Sequence, residues 1–509
     1  MATWATWALV GLGLVAVIAA MALWDIVQTK HAILRVYPII GRLRYLLEKV
    51  GPELRQYIVT SDLAERPYHR AQRSWAYRAA KGVDAAIGFG TQEDIASPGQ
   101  YHFLPSPFPV LHDEAPRDAA PHVVGPHRPR PFVARSRIGI APMSFGALSE
   151  AAVQALSLGA GEAGVAINTG EGGLAPHHLV GGGPVIFQVG PAKYGVRTPD
   201  GEMDWARLRE IGAHPQVVAI EIKVGQGAKP GKGGILPGAK VTPEIAAIRG
   251  IPAGEPSFSP NRFEEFATVP ELVDFVERVK AEVPVPVGVK IVVGDRAFPD
   301  ALARTLAEEG RGPDYVSVDG AEGGTGAAPM SLTDHMGLPL RDALVEVDDA
   351  YRRWGVRDRV TLIGAGRIVT GAEAAHALAL GADLVNIGRG FLFSIGCIQA
   401  LRCHTNECPT GVATQSAWRQ RGLVPRDKRS RVANYARAVQ EDLMVVTRSL
   451  GLRSPGELTR EHLEVVVAVG QRMRASDLYP YPPLALQALV SRDVMARFAP
   501  EPAPEYWVA

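Results

Sequence analysis

Three cysteines are the residues of this chain whose type and spacing point most directly to a particular chemistry. The 509 residues contain three cysteines, with five residues between Cys397 and Cys403 and four between Cys403 and Cys408. Thiolates are the usual ligands of iron–sulfur clusters, and a proline such as Pro409 commonly follows a cluster cysteine. The segment therefore predicts a three-iron cluster, or a four-iron cluster with an open corner.

Two other interpretations of the cysteines stay open from the residues alone. Zinc with His404 as a fourth ligand is one, although Cys403 and Cys408 fit only the loose end of zinc-knuckle spacing and no second short ligand pair follows. Ordinary buried cysteines are the other, because small thiols are common in protein cores. An odd, clustered set is not a disulfide framework and indicates a reducing compartment.

A second group of chemically suggestive residues follows a series of apolar runs. Nearly every run ends in glycine or polar residues, and glycine lets backbone N–H groups approach a phosphate. The last two ends, Gly364-Ala-Gly366-Arg367 and Gly388-Arg389-Gly390, each combine glycines with an arginine. In a barrel enzyme the seventh and eighth strand ends commonly bind phosphate. Plain strand-to-helix turns are the alternative.

The elements that must position these residues alternate regularly. Helical patterns separate most of the apolar runs, at Glu150–Ala163, Val269–Glu282, Phe298–Glu309 and Gly371–Leu380. The eight runs are Ile138–Ala141, Val165–Asn168, Pro184–Val189, Val217–Val224, Pro286–Val292, Tyr315–Val318, Val360–Ile363 and Leu384–Ile387. Strands that alternate with helices predict a parallel sheet, and a count of eight favours a closed (β/α)8 TIM-type barrel in the α/β class over an open sheet.

The N-terminus has the character of a membrane segment. No charge interrupts the stretch from Trp4 to Trp24, which is long enough to span a bilayer and has tryptophans at both ends. Lys30 and Arg35 follow this stretch and no basic residue precedes it, so we expect a single-pass anchor with the bulk of the chain in the cytoplasm. A signal peptide and a buried core helix are the alternatives, although a signal peptide would need a basic n-region.

The remaining organisation follows from these assignments. We expect an anchor over 1–30, an N-terminal extension and linker over 31–130, a barrel over 131–415, and a C-terminal helical extension and tail over 416–509. Within them, His112 to Arg130 is predicted to be a surface connection and Val432–Leu450 a helix. Lys+Arg of 54 against Asp+Glu of 53 leaves a net charge of +1, which disfavours general nucleic-acid binding.

Longer motifs make a family resemblance specific. Five segments resemble the FMN-binding synthase domain of glutamate synthase, in order, within roughly residues 67–458. They are Met143–Glu150 (MSFGALSE), Asn168–Gly173 (NTGEGG), Glu221–Gly238 (EIKVGQGAKPGKGGILPG), Gly323–Pro329 (GGTGAAP) and Cys397–Gln415 (CIQALRCHTNECPTGVATQ). The N-terminal membrane segment and the lack of an amidotransferase domain are similar to the short stand-alone members of that family.

The resemblance implies two cofactors and a reaction. The barrel would bind FMN, and Cys397, Cys403 and Cys408 match the three ligands of a 3Fe–4S cluster. The reaction implied is the reduction of 2-iminoglutarate, formed from 2-oxoglutarate and ammonia, to L-glutamate. Electrons would pass through the cluster to the flavin, because a flavin accepts them singly and delivers a hydride.

Residue roles are also implied by the resemblance. Met143 and Ser144 match positions that line the flavin, and Asn168 and Gln188 match polar residues that reach its ring or ribityl chain. Lys290 matches a lysine near the flavin and the 2-oxoacid, and Glu221 matches an acid on the substrate side. The residues that match or neighbour the phosphate region are Gly323, Gly324, Thr325, Gly326, Gly364, Gly366, Arg367, Gly388, Arg389 and Gly390.

Structural roles are the alternatives for four of these side chains. Lys290 would then be a barrel-wall lysine paired with a structural acid, and Glu221 a strand carboxylate satisfied by Lys223 or Lys240. Asn168 and Gln188 would be hydrogen-bonding caps at strand ends.

Several departures from the family limit what the resemblance implies. No cysteine precedes Cys397, so the chain cannot hydrolyse glutamine with an N-terminal thiol, and ammonia must be free or come from a partner. No strand–GxGxxG–helix unit is evident, so we expect a ferredoxin-like protein, a flavoprotein subunit or a membrane donor to supply electrons. The second and sixth strand-end loops also differ from the large enzymes. A different 2-oxoacid, an N-substituted glutamate product, and a non-catalytic electron-transfer subunit therefore stay open.

Overall fold

The structure is a computed structural model that describes residues 3–83, 86, 88–111, 113–114 and 119–485. It divides into two units, Met1–Ala71 and Gln72–Ala509. His112 and residues 115–118 of the expected surface connection lie outside the described residues. So does the tail beyond residue 485.

The first unit is helical. Its helices are α1 Thr3–Val27, α2 Ala32–Val36 and α3 Gly41–Leu54, and α3 continues into a π-helical turn at Arg55–Val59. Within α1, Trp4–Val27 is long and apolar enough to cross a membrane. Near its end the buried Asp25 carboxylate accepts hydrogen bonds from Arg42 at 2.6 and 2.9 Å and from the Ile39 amide at 3.0 Å. These bonds fix the turn that follows α1.

The second unit is built on a closed barrel. The helices in this part of the chain are α4 Arg70–Ala80, α5 Glu150–Ala163, α6 Pro176–Leu179, α7 Trp205–Ala213, α8 Pro243–Arg249, α9 Val269–Glu282, α10 Ala297–Glu309, α11 Met330–Thr333, α12 Leu340–Arg353, α13 Gly371–Ala379, α14 Arg389–Ser394, α15 Ala417–Gln420, α16 Pro425–Ser449 and α17 Ala475–Leu478. The strands are β1 Tyr101–Phe103, β2 His122–Val124, β3 Phe132–Ala134, β4 Ile138–Ile140, β5 Ile167–Asn168, β6 Val185–Val189, β7 Val217–Lys223, β8 Ile235–Leu236, β9 Ser257–Phe258, β10 Val287–Ile291, β11 Tyr315–Asp319, β12 Thr361–Ala365, β13 Leu384–Ile387, β14 Leu463–Ala468 and β15 Gln471–Arg474.

The barrel confirms the expected fold class. Its strands pair in the circular order β4-β5-β6-β7-β10-β11-β12-β13, and every pair is parallel. Each of the eight predicted apolar runs supplies one strand. A small antiparallel sheet, β1-β14-β15, lies outside the barrel, and β8 and β9 form a short antiparallel pair between β7 and α9, with α8 in the connection.

Local capping explains why the predicted helices begin where they do. The Ser149 hydroxyl accepts a hydrogen bond from the Ala152 amide at the start of α5. Thr268 and Thr370 each form a capping box with a glutamate three residues later, at the starts of α9 and α13. Helix α16 starts earlier than predicted, because Pro425 occupies its first turn and the charged residues that follow hide the apolar periodicity.

The β2–β3 hairpin closes the amino-terminal end of the barrel. Its buried side chains pack among residues at the beginnings of the barrel strands. The cluster consists of Val124, Phe132, Ala134, Ile186, Ala219, Tyr315, Ile363 and Leu384. A cavity of about 400 Å³ lies at this end, opposite the predicted site. Strand β2 falls inside the segment that was expected to be a surface connection.

The C-terminal segment is held to the barrel layer by a buried arginine. Arg460 is fully buried, and its Nη2 lies 2.9 Å from Asp348 Oδ2 and 2.6 Å from Asp349 Oδ1. Asp348 lies on α12 and also pairs with Arg352 and Arg357. A buried guanidinium needs such partners, so this network fixes the chain that leads into β14.

Gly288 gives a direct test of how the barrel interior is packed. A Cβ at Gly288 would lie 2.4 Å from the ring of Tyr315, whose hydroxyl donates to the Ile220 carbonyl at 3.0 Å. We expect Gly288→Ala to lower the free energy of unfolding by about 1–3 kcal/mol through overpacking. Thermal denaturation followed by circular dichroism measures this. Gly294→Ala is the control, since nothing lies within 4 Å of its added Cβ; equal melting temperatures for the two variants would contradict the packing.

Candidate active site

A fully buried carboxylate lies at the centre of the polar layer inside the barrel. Glu221 on β7 accepts hydrogen bonds at Oε1 from Asn168 Nδ2 at 2.9 Å and from Gln188 Nε2 at 2.7 Å. Its other oxygen, Oε2, is buried and has no hydrogen-bond partner. Burial raises the pKa of Glu221, while Lys290 opposes the shift. The layer therefore presents one oxygen that is free to hold or exchange a proton.

The lysines that were the structural alternative for Glu221 have other partners. Lys223 Nζ lies 2.6 Å from Glu171 Oε1. Lys240 Nζ donates to the carbonyl oxygens of Ala147 at 3.1 Å and Cys403 at 2.9 Å. Asn168 and Gln188 satisfy the glutamate instead.

Lys290 is paired inside the barrel with an aspartate. Its Nζ lies 3.2 Å from Asp319 Oδ2, and both side chains are less than one-tenth exposed. The same aspartate oxygen accepts a hydrogen bond from the Gly227 amide at 2.8 Å. Asp319 was not predicted as a site residue. Its position at the carboxyl end of β11, where active-site residues of barrels lie, could have indicated it. It ties Lys290 to the loop after β7.

Further cations lie around the opening at the carboxyl end of the barrel strands, which we call the mouth. The sequence analysis did not assign these cations to the site. Burial and the nearby Lys223 lower the pKa of Lys229 to about 8. Arg249 is buried, donates to the Phe145 carbonyl oxygen at 3.1 Å and lies 4.9 Å from the Tyr194 ring centroid. Together with Lys290, these groups make the mouth cationic and suited to carboxylates.

The loops after β4 and β5 pack closely against each other. A Cβ added at Gly170 would lie 2.7 Å from the Ser144 amide nitrogen and 3.0 Å from the Met143 carbonyl carbon. Gly170, whose φ is +62°, donates its amide to Asn168 Oδ1 at 2.9 Å. Asn168 thus bridges Glu221 and the loop on which Met143 and Ser144 rest.

Part of the predicted phosphate region comes together around Arg389. Its Nη2 donates to the Glu322 carbonyl oxygen at 2.6 Å, and its Nε would lie 2.9 Å from a Cβ at Gly324. Gly388 immediately precedes Arg389, and Gly366 follows the neighbouring strand β12. Of these glycines only Gly324 lies against the guanidinium, because a Cβ at Gly366 would meet Leu340 at 2.9 Å and one at Gly388 would meet Ala141 at 3.4 Å.

Other glycines of the predicted region have packing roles. A Cβ at Gly390 would lie 2.0 Å from the Tyr435 hydroxyl, and one at Gly364 would lie 3.3 Å from Leu344. Gly323 lies against Asp319, whereas a Cβ at Gly326 would meet open space. Thr325 donates to the Ala327 carbonyl oxygen at 3.2 Å, within its own loop. Arg367 has the positive φ of 52° that side chains seldom adopt.

The three cysteines lie in a loop where sulfur and hydrogen-bond donors are neighbours. Burial, together with the neighbouring Cys403 and Cys408, raises the pKa of Cys397 to about 12. Burial also opposes ionisation of Cys408, but hydrogen bonds from the Thr410 hydroxyl and from backbone groups outweigh it and lower its pKa. Donors aimed at sulfur favour the thiolate form that ligates iron.

The zinc alternative gains no support from the geometry. His404 is exposed. Among the residues that the structure describes, ligand atoms close enough for a single ion occur at Glu150, His177 and Glu244, and not at the cysteines.

Comparisons with known proteins agree with the motifs. Residues 111–453 match the conserved region in glutamate synthase. The glutamate synthase large subunit-like protein YerD of Bacillus subtilis (strain 168) is 38% identical over 494 residues, which cover 89% of this chain and 94% of that protein. An archaeal-type glutamate synthase (NADPH) of Thermotoga maritima is 36% identical over 330 residues, covering 64% of this chain and 62% of that protein. This chain thus matches less than two thirds of the archaeal-type relative.

Among solved structures, a mandelate oxidase variant with 2-hydroxy-phenylacetamide is 18% identical, with a TM-score of 0.43. The match covers 78% of this chain and 91% of that one. A likeness at this level supports no inference about ligands.

Asp319→Asn tests whether the buried ion pair is needed. The change removes the charge that compensates the Lys290 ammonium, and breaking such a pair costs about 3–5 kcal/mol. We expect a matching loss in the free energy of unfolding, measured by urea denaturation. Asp295→Asn, at the exposed carboxyl end of the loop after β10, is the matched control. If both variants unfold at the same urea concentration, Asp319 does not compensate a buried charge.

Proposed function

The chain belongs to the glutamate synthase family, and on that premise we propose that it is an FMN-dependent oxidoreductase that forms L-glutamate from 2-oxoglutarate and ammonia. The observation that carries this proposal is the placement of the buried Lys290–Asp319 pair beside Glu221, under a cationic mouth. The fold alone would not support this proposal, because enzymes with TIM-type barrels catalyse many different reactions.

The charge of the mouth supports a dicarboxylate substrate. Burial and then Lys223 lower the pKa of Lys229, while Glu171 opposes the shift and Lys232 and Lys290 add to it, so several ammonium groups lie close together there. A bound carboxylate relieves that repulsion, and 2-oxoglutarate carries two carboxylates. Lys229 and Arg249 are the side chains that we assign to substrate binding, while Lys290 reaches deeper into the barrel.

The residues present fit a bound FMN. In the predicted phosphate region, a Cβ at Gly326 would meet open space and one at Gly388 would meet only Ala141, at 3.4 Å, so a ligand can approach the backbone there. We assign Met143, Ser144, Asn168, Gln188, Lys290 and the loops at 323–326, 364–367 and 388–390 to holding the flavin. When bound, FMN supplies hydride transfer.

Side chains of this protein would then orient the substrate and donate a proton to it. Lys290 offers an ammonium that stabilises negative charge close to the reacting centre. Glu221 has its raised pKa from burial and an unpartnered Oε2, so it is suited to hold a proton there and pass it to the substrate nitrogen. Asn168 and Gln188 fix its other oxygen and thereby its orientation.

The cysteine loop fits an iron–sulfur cluster. Cys397, Cys403 and Cys408 would hold a 3Fe–4S cluster, which supplies single-electron transfer when bound. The hydrogen-bond donors at Cys408 and the Lys240 ammonium near Cys403 favour an anionic group in this loop. Electrons then come from a separate donor, such as a ferredoxin or a flavoprotein, and ammonia comes from solution or from a partner.

We assign α1 the role of a single-pass membrane anchor that leaves the barrel in the cytoplasm. The uncharged stretch from Trp4 to Trp24 within α1 supports this role, as do the basic residues that follow the helix.

The function is tested by supplying its substrates to the purified, detergent-solubilised holoenzyme. With 2-oxoglutarate, ammonium and reduced methyl viologen, we expect L-glutamate in stoichiometric yield, measured by chromatography. Lys290→Met should lower kcat by about a hundredfold or more, since it removes an electrostatic group at the reacting centre. Lys49→Met, on an exposed part of α3, is the control. Turnover of another 2-oxoacid but not 2-oxoglutarate would overturn the substrate assignment.

Cys403→Ser tests the cluster assignment. The change removes one of the three proposed thiolate ligands, so we expect loss of the three-iron electron paramagnetic resonance signal with flavin absorbance retained. Iron content, measured on the same sample, should fall with the signal. An unchanged signal would show that Cys403 is not a ligand.

A further inference from the structure

We propose that α3 lies on the anionic cytoplasmic face of the membrane, with an apolar stripe in the boundary between lipid headgroups and acyl chains. This inference rests on the anchor role proposed for α1 and adds a second contact with lipid. The apolar stripe consists of Leu43, Leu46, Leu47, Val50 and Leu54.

The apolar stripe follows the period of an α-helix. Its residues recur at spacings of three and four, which places them on one face of α3, while Arg44, Glu48 and Lys49 project from the rest of the helix surface. The five residues of the stripe are between 37% and 56% exposed. In a globular protein such a stripe is buried against the core, whereas in the described part of this chain it lies open.

The opposite side of α3 makes the contacts within the first unit. A Cβ at Gly41 would lie 3.1 Å from the Ile33 carbonyl oxygen, so the start of α3 packs tightly on α2. One turn later the Tyr45 ring meets His31 edge to face, with 5.0 Å between the ring centroids. The unit therefore uses the polar side of α3 for its own packing and leaves the apolar stripe to another surface.

The end of α1 sets the level at which α3 begins. The uncharged stretch from Trp4 to Trp24 is about 31 Å long as a helix, which matches the hydrocarbon thickness of a bilayer. Trp24 then lies at the cytoplasmic interface, and Asp25 follows it directly. Because Arg42 donates to the Asp25 carboxylate at 2.6 and 2.9 Å, the first turn of α3 is held at that interface.

The charge of this segment is complementary to anionic lipid. Residues 25–59 contain six Lys or Arg and three Asp or Glu, an excess of three positive charges. Basic segments next to a membrane-spanning helix are attracted to the negative cytoplasmic leaflet. Tyr37 and Tyr57, which flank α3, are 62% and 53% exposed, and tyrosine is enriched at the level of the headgroups.

The same charge argues against a second copy of this chain as the cover of the stripe. Two such segments brought face to face would each carry the positive excess and repel one another. A helix with an apolar stripe and a basic polar face instead has the pattern of helices that lie in the plane of a lipid interface.

Photo-crosslinking tests the contact in the full-length protein. The protein is reconstituted into nanodiscs of phosphatidylcholine, with or without phosphatidylglycerol, as Leu47→p-benzoylphenylalanine or as the control Glu48→p-benzoylphenylalanine. The two positions are both about half exposed, and successive helix residues point about 100° apart. We expect a several-fold higher yield of lipid adducts at Leu47 than at Glu48, measured by mass spectrometry, and a higher Leu47 yield with phosphatidylglycerol. Circular dichroism checks that each variant folds.

A third variant, Leu14→p-benzoylphenylalanine in the middle of α1, tests the anchor separately. Lipid adducts at Leu14 with equal yields at Leu47 and Glu48 would overturn the inference while the anchor stands. So would Leu47 adducts with protein in place of lipid, which would identify a second copy or another part of the chain as the cover. Equal Leu47 yields with and without phosphatidylglycerol would contradict the assignment to anionic lipid. Lipid adducts at Leu47 but not at Leu14 would overturn the anchor and leave the α3 contact in place.

Discussion

A lysine placed inside a barrel of apolar strands needs a nearby carboxylate, and the site is arranged around that requirement. Asp319 meets it for Lys290, at a distance of 3.2 Å. Its carboxylate also accepts the Gly227 amide, so the charge pair and the loop after β7 have a common anchor. Breaking either interaction disturbs the other, because an uncompensated buried charge is far more costly than an exposed one.

The same anchor links the loops that line the mouth. A Cβ at Gly227 would lie 1.8 Å from the Gly320 carbonyl oxygen, and Gln226 donates to the Gly324 carbonyl oxygen at 2.9 Å. The loop after β7 therefore packs on the loop after β11 through backbone contacts that only glycine permits. One of these loops bears Lys229 and the other approaches Arg389, so the positions that we propose for substrate and flavin are linked by direct backbone contacts.

The barrel could be predicted because its signals are local. Each strand is an apolar run of ordinary length, and helices such as α5 and α9 begin at capping residues that can be read directly. Helix α12 was missed, although it is amphipathic, because charged residues separate its apolar positions. The β2–β3 hairpin was missed because its short strands lie in a segment rich in proline and histidine and gain stability only from the barrel they close.

The site was predicted less completely because its partners are distant in sequence. Resemblance identified Lys290 and Glu221, but pairing of Lys290 with Asp319 depends on the neighbouring strands β10 and β11 lying in register. Arg249 approaches the Phe145 loop only once α8 has folded across the mouth. No sequence motif predicts contacts of this kind.

The β2–β3 hairpin, which closes the amino-terminal end of the barrel, also affects how the chain folds. Val124 belongs to the same cluster as Leu384, so the two ends of the barrel sequence are joined by contacts about 260 residues apart. During synthesis the early hairpin has no complete surface to pack on until the last barrel strand has left the ribosome. Non-local contacts of this kind slow folding and leave apolar surface exposed in intermediates. The apolar side of the hairpin therefore stays incompletely covered until the eighth strand has emerged.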